Sequence, residues 1–290
     1  MLERFYLNQE KILEKSLNYF KNSSSNQIKV GVELEFFLFD LDENPASQIA
    51  INNFILEFSK NCDLIIEKER GISQIEVKTD FSADLISLCR EIENCKKLIK
   101  KIAKKQNLIA NFLAKPIKGD CASALQFNIS AHDENGTNLF LENKLLIKNF
   151  SNSLLAKTNE ILAILSPTKN CFERFDLNEN INLFKAGKFT APINLSFGCN
   201  NRSCAIRLKN NRLEYRVASS NANPFLSIAA ILLILSENSN QEFQEVFGNA
   251  FDEKYNLKPI LKNQKDALKL FNLEENFVRK FFTSSCSNKN

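Results

Sequence analysis

A chain of 290 residues, 44% hydrophobic and 25% charged, can bury a sizeable core and is not intrinsically disordered by composition. Its formal net charge of +4 is too mild, and its lysines too scattered, to suggest a nucleic-acid partner, and the basic stretch Lys96 to Lys105 reads as a solvated helix face. The longest apolar run, Ile228 to Leu235, falls well short of the ~20 residues that span a bilayer, and the N-terminus is charged and amphipathic, so a cytoplasmic protein with no membrane partner is expected.

Ile12, Leu13, Leu17 and Phe20 fall at helical spacing and predict an amphipathic helix over Gln9 to Lys21, joined by the loop Asn22 to Asn26 to a first strand. That strand, Val30 to Phe37, alternates, so Glu33 and Glu35 share one face while apolar residues take the other. A long helix over about Ser82 to Gln106 carries Leu85, Leu88, Ile92, Cys95, Leu98, Ile99 and Ile102 on one side. The strand Leu125 to Ser130 puts Gln126, Asn128 and Ser130 on a common face, and the hairpin-like turn at Asn135-Gly136 precedes helical segments near Asn152 to Leu165. Within the strand-rich region Ala191 to Val217, Arg212, Glu214 and Arg216 share a face. Asn223 as N-cap and Pro224 at the first helical position start a helix through the buried-looking Phe225 to Leu235. Short helices follow from Gln241, and no internal repeat or linker interrupts the chain. The expected organisation is an N-terminal helix and loop over 1–27, a main domain over 28–237 and a helical tail, 238–290, on the same domain.

One histidine, His132, and eight cysteines with no Cys-x-x-Cys pair exclude a His-rich zinc centre and make Ser-His or Cys-His nucleophile chemistry a poor fit. The cysteines read as reduced, small core residues. What remains is a set of carboxylates and arginines at two-residue spacing, side chains suited to hard divalent cations and phosphate oxygens. Taken singly, Glu33 and Glu35 read equally well as solvent-facing strand residues, and Arg212, Glu214 and Arg216 as a surface ion-pair ladder.

Several stretches resemble, in order, the catalytic domain of glutamine synthetase. They are Gly31-Val32-Glu33-Leu34-Glu35-Phe36-Phe37, Glu69 with Gln74-Ile75-Glu76, Lys115-Pro116 with Gly119-Asp120, Gly136-Thr137-Asn138-Leu139-Phe140, Ala191-Pro192-Ile193-Asn194 through Asn201-Arg202-Ser203 and Arg207 to Arg212-Leu213-Glu214-Tyr215-Arg216, and Ala222-Asn223-Pro224-Phe225-Leu226. The resemblance implies an α+β fold, a curved antiparallel sheet flanked by helices, of the guanido-kinase-like type. It implies ATP-dependent ligation of glutamate, or a related carboxylate, to ammonia or another amine through γ-glutamyl phosphate, with ATP and Mg2+ or Mn2+ as cofactors. By position, Glu35, Glu69 and Glu76 would hold one ion and Glu33 and Glu214 the second, to which Gln126 offers a carbonyl oxygen. Arg202 and Arg207 match phosphate-facing catalytic arginines and Arg216 a glutamate-binding one, while Ser130, Asn128, Lys209 and Arg212 match nucleotide contacts. In Glu67-Lys68-Glu69-Arg70 a slide of two would exchange Glu69 for Glu67.

The departures are as specific. Ala122-Ser123-Ala124-Leu125-Gln126-Phe127-Asn128 replaces both histidines of the family's Gly-Ser-Gly-x-His-x-His segment, and its alanines, costly at positive φ, would crowd the glutamate site. Cys121 stands for an Asn. Aligned without gaps, Phe184 falls where the family has a substrate-binding Arg and Thr190 where it has a flap Glu. The family's N-terminal β-grasp domain has no counterpart in this sequence, which implies a catalytic domain alone. Three readings stay open: a divergent ligase with reduced or lost activity, a ligase for another amine with Phe184 and Thr190 shaping the acceptor pocket, and a non-catalytic synthetase-like protein that binds or regulates a partner. Homo-oligomers, or association with a full-length synthetase, belong to the same expectation.

Overall fold

Strand alternation divides one eight-stranded sheet into a polar face and an apolar face. The computed structural model describes residues 2–188, 191–237 and 239–287. Its strands are β1 (Gln27–Phe39), β2 (Ile65–Lys68), β3 (Gln74–Lys78), β4 (Ile109–Asn111), β5 (Leu125–His132), β6 (Phe197–Cys199), β7 (Ile206–Lys209) and β8 (Arg212–Tyr215). They lie in the order β2-β3-β1-β5-β8-β7-β6, with β4 on the far end of β1. The sheet is antiparallel as expected, apart from the short parallel pair β6 with β7.

Register brings distant residues into rows across the sheet. Glu67, Glu76 and Glu35 form one row through β2, β3 and β1. Lys78, Glu33 and Gln126 form the next through β3, β1 and β5. Asn128, Glu214 and Arg207 form a third through β5, β8 and β7. Since a one-residue slip would turn every one of these side chains into the core, the apolar face fixes the polar one.

That apolar face, with Val32, Leu34, Ile75, Val77, Phe127, Ile129, Leu213 and Tyr215 all buried, packs against helices. These are α1 (Leu2–Tyr6), α2 (Gln9–Ser23), α3 (Gln48–Ser59), α4 (Leu85–Lys105), α5 (Leu139–Glu142), α6 (Lys144–Leu165), α7 (Leu177–Lys185), α8 (Pro224–Ser236), α9 (Gln264–Phe271) and α10 (Phe277–Cys286). Helix α8, apolar all round, is enclosed by α2, α4 and α6, as an unpatterned apolar helix must be. Its N-cap is Asn223, whose side chain accepts from the Leu226 N–H at 3.0 Å. The Tyr215 hydroxyl meets Thr158 Oγ1 at 2.8 Å inside the core and ties β8 to α6.

Four expectations change. Helix α6 begins at Lys144 rather than near Asn152, capped by Asn143, and α3 and α7 add helices where none is predicted. Cys89, Cys95, Cys121, Cys171 and Cys204 are buried, but Cys199 is exposed. Ala122 and Ala124 both take ordinary negative φ, so the loop is not strained by losing glycine. His132 is a buried structural group, with Ser130 Oγ at 3.0 Å from one ring nitrogen and the Gly136 carbonyl at 3.0 Å from the other. No helix among the described residues is long and apolar enough to cross a membrane.

Candidate active site

The polar face of the sheet forms the wall of a cavity of about 170 Å³, and the charged side chains there come from seven separate stretches of chain. Glu33, Glu35, Glu67, Glu69, Glu76, Gln126, Arg202, Arg207, Lys209 and Arg216 all line it.

On the acidic side, Glu35 is buried and accepts from the Ala124 N–H at 2.8 Å, Gln126 Nε2 at 2.7 Å and Gln74 Nε2 at 3.2 Å. Burial and the neighbouring Glu69 charge push its carboxyl up to about 7, against the pull of the Ala124 N–H, Arg216 and Arg174. Burial, then the charges of Glu35 and Glu33, push Glu76 up to about 9, although Lys78 sits 2.7 Å away. Lys78 also reaches Glu67. Carboxylate oxygens of Glu67, Glu69 and Glu76 lie within 4.8 Å of one another. Opposite oxygens around Mg2+ are roughly 4.2 Å apart, so the spacing suits a hard divalent ion. Burial is the larger cause of both raised carboxyls and the neighbouring carboxylate charge the second, while Lys78 already offsets part of that charge. By this geometry Glu67 is as well placed as Glu69, so the two-residue slide has a physical counterpart.

On the basic side, Glu214 is only 1% exposed and lies beneath the cavity wall. Burial would raise its carboxyl, but Arg216, Lys209 at 3.0 Å and Arg207 at 3.1 Å outweigh that and hold it at about 2. Gln126 is committed at both ends, donating to Glu35 and accepting from Arg216 Nη1 at 2.8 Å. Asn128 bridges Glu33 at 2.9 Å and Arg212 Nε at 2.8 Å, and Ser130 faces His132. Asn128, Ser130, Arg212 and Glu214 therefore stand behind or beside the cavity rather than on it. Glu214→Gln leaves the buried Arg216 and the half-buried Arg207 and Lys209 around a neutral amide; an expected loss of about 2–4 kcal/mol in urea unfolding follows, and a loss below about 1 kcal/mol would mean the ion pairs do not form as described.

Two groups that local sequence pattern does not mark complete the site. Arg174, from the 3-10 turn Lys169–Phe175, lines the cavity at 2% exposure, donating to the carbonyls of Val217 at 2.8 Å and Arg216 at 3.3 Å. Its Nε, like that of Arg216, is buried without a hydrogen-bond partner among the described residues. Its only trace in sequence is an arginine set between Phe172 and Phe175. Phe184, by contrast, is 37% exposed on α7, sits edge-on to Phe251 at 5.6 Å and does not line the cavity. Phe184 therefore stands away from the cavity while Arg174 brings a guanidinium to it; Thr190 lies outside the described residues. The second unmarked group is Phe81, whose ring lies 5.7 Å from the Arg212 guanidinium and packs on Gly31, forming a flat shelf beside Asn128.

Residues 61–289 match the family model described as glutamine synthetase, catalytic domain. The chain belongs to the glutamine synthetase family. It is 27% identical over 294 residues to gamma-glutamylputrescine synthetase PuuA of Escherichia coli (strain K12), covering 87% of this chain and 60% of that one. It is 28% identical over 250 residues to glutamine synthetase of Staphylococcus aureus (strain MW2), covering 76% of this chain and 54% of that enzyme. The chain therefore spans little more than half the length of these curated relatives. A solved structure titled "GmaS/ADP complex-Conformation 1" superposes with a TM-score of 0.83 over 96% of this chain and 70% of the other, at 22% identity, and shows the shared fold. The glutamine synthetase family fold, a mostly antiparallel open sheet flanked by helices, is thus the fold of this chain.

Proposed function

We propose that the chain is an ATP-dependent carboxylate–amine ligase joining glutamate to an amine through γ-glutamyl phosphate. The observation that carries this reading is the meeting, in one cavity, of the Glu67–Glu76–Glu35 row with the guanidinium groups of Arg174, Arg202, Arg207 and Arg216. Glu69 and Glu76, with Glu35 or Glu67, would hold a Mg2+ or Mn2+ ion. When bound, that ion neutralises phosphate charge and orients the nucleotide. The donor set fits one such ion; Glu33, Gln126 and Glu214 would serve a second only if Arg216 and its neighbours let go of Glu214 and Gln126.

Two transfers make up the reaction. A glutamate carboxylate oxygen bonds to the γ-phosphorus of ATP as the bond to the β-phosphate bridging oxygen breaks, releasing ADP. The neutral amine's nitrogen then bonds to the acyl carbon, phosphate leaves with the electron pair of the broken C–O bond, and the proton lost from nitrogen passes to the departing phosphate. Arg202 and Arg207 suit the transferring phosphoryl oxygens, since charge-assisted donors there stabilise charge as it develops. Arg174 and Arg216 suit the substrate carboxylate, and the Phe81–Arg212 shelf offers a stacking surface for the nucleotide base.

The likeness to a gamma-glutamylputrescine synthetase favours an amine larger than ammonia as a second reading of the acceptor. Incubation of the chain with ATP, Mg2+, glutamate and ammonium, putrescine or other alkylamines, assayed for phosphate release, tests both. Amine-dependent release is expected; no release with any amine would overturn the ligase reading.

A further inference from the structure

We propose that the chain carries a second anion site, separate from the catalytic cavity, that takes a phosphorylated small molecule. A groove of about 1250 Å³ opens between the loop at Lys118-Gly119, the 3-10 turn with the start of α7, and the start of α9. Four lysines rim it, Lys118, Lys169, Lys262 and Lys265, above an apolar floor that includes Phe172 and Leu268. All four lysines are exposed, and none of their ammonium groups makes an ion pair or hydrogen bond with a described residue.

The carboxylates of the same groove are already committed. Glu179 pairs with Lys115 at 3.2 Å and accepts from the Gly119 N–H. Asp176 caps α7 by accepting from the Glu179 N–H at 2.8 Å, and Glu173 accepts from Asn170 Nδ2 at 3.3 Å. Hydrogen bonds from amide groups leave Glu173 and Asp176 charged, so with Glu179 paired to Lys115 the groove sets four lysines against two carboxylates, a net of +2 that favours an anion. The groove also opens at the N-terminus of α9, where Asp266 in the first turn offsets the positive potential of the helix dipole. Lysines act on phosphate as point charges rather than as planar forks, which suits this rim better than it would suit a bidentate carboxylate site. The apolar floor accommodates a carbon skeleton. The turn that supplies Lys169 and Phe172 also carries Arg174, so a ligand held here touches the segment that presents that guanidinium to the catalytic cavity.

Calorimetric titration of the full chain with pyrophosphate, free of divalent cations, tests the assignment in three forms: wild type, K118Q/K262Q/K265Q and R202Q/R207Q. Those lysines are exposed and unpaired, so the triple variant should keep its thermal midpoint. The site predicts that the triple variant loses at least about tenfold in pyrophosphate affinity while R202Q/R207Q retains binding at the groove. Wild-type affinity in the triple variant, or complete loss of binding in R202Q/R207Q, would overturn it.

Discussion

Freed of divalent cations, the chain is expected to lose stability as pH rises from about 5 to about 9, and millimolar Mg2+ or Mn2+ should flatten that fall. In the folded chain Glu35 is raised to about 7 and Glu76 to about 9, both above the ordinary value of about 4.3. Between these limits the folded form holds protons that the unfolded form has released. The stability they contribute is whole below about pH 4.3 and is lost as pH climbs through 7 and then 9. At 1.36 kcal/mol per unit, Glu35 alone accounts for about 4 kcal/mol. Glu214 works in the opposite sense: held at about 2, its contribution is present above about pH 4.3 and fades as pH falls toward 2. The chelated protein should therefore be most stable near pH 5, and Glu76→Gln should remove much of the alkaline limb. Thermal unfolding across pH, with chelator and with Mn2+, measures this. A flat profile from about pH 5 to 9, indifferent to cation, would show that Glu35 and Glu76 are not buried beside one another as described.

Arg174→Lys is expected to lower kcat/KM for glutamate-dependent phosphate release about 100-fold, or ~2.7 kcal/mol, while Phe184→Ala stays within about threefold of the parent. The arginine fork spans two backbone carbonyls, those of Val217 and Arg216, while its Nε has no hydrogen-bond partner among the described residues. A lysine keeps the charge but not this planar reach. Burial brings the Arg174 guanidinium down to about 10, yet it remains charged at neutral pH beside Glu35. Its backbone is fixed too, since Asn180 Nδ2 donates to the Arg174 carbonyl at 2.7 Å. Phe184 lies half-exposed against Phe251, where truncation removes surface packing and no cavity wall. The reverse ranking of the two variants would return the substrate position to α7.

Why some of this was legible in sequence and some was not follows from range. Period-2 alternation is local, so the common faces of Glu33 with Glu35, of Gln126 with Asn128, and of Arg212 with Glu214 could be read directly. Which of those faces adjoin is set by register between strands distant in sequence, and that is where Glu67 joins Glu76 and Lys78 comes to sit between them. Arg174 is invisible locally because a 3-10 turn has no long period to reveal a buried face. Helix α3 escaped for another reason: Ile49, Ile51, Phe54, Leu56 and Phe58 surround its axis, with Ile49 and Leu56 exposed, so no single stripe stands out. Three-residue strand β6 carries too little pattern to announce a parallel partner. The burial of Glu214 under three cations is likewise tertiary, for its own strand shows only alternating charge.

The most direct test of the shared cavity is calorimetric titration of the chain with ADP in the presence and absence of Mn2+, repeated in Glu76→Gln and R202Q/R207Q. Saturable ADP binding that requires Mn2+ in the parent, weakens by about tenfold or more in Glu76→Gln and is lost from the cavity in R202Q/R207Q is the predicted result. Nucleotide binding indifferent to Mn2+ and to both variants, or none at millimolar ADP, would contradict it.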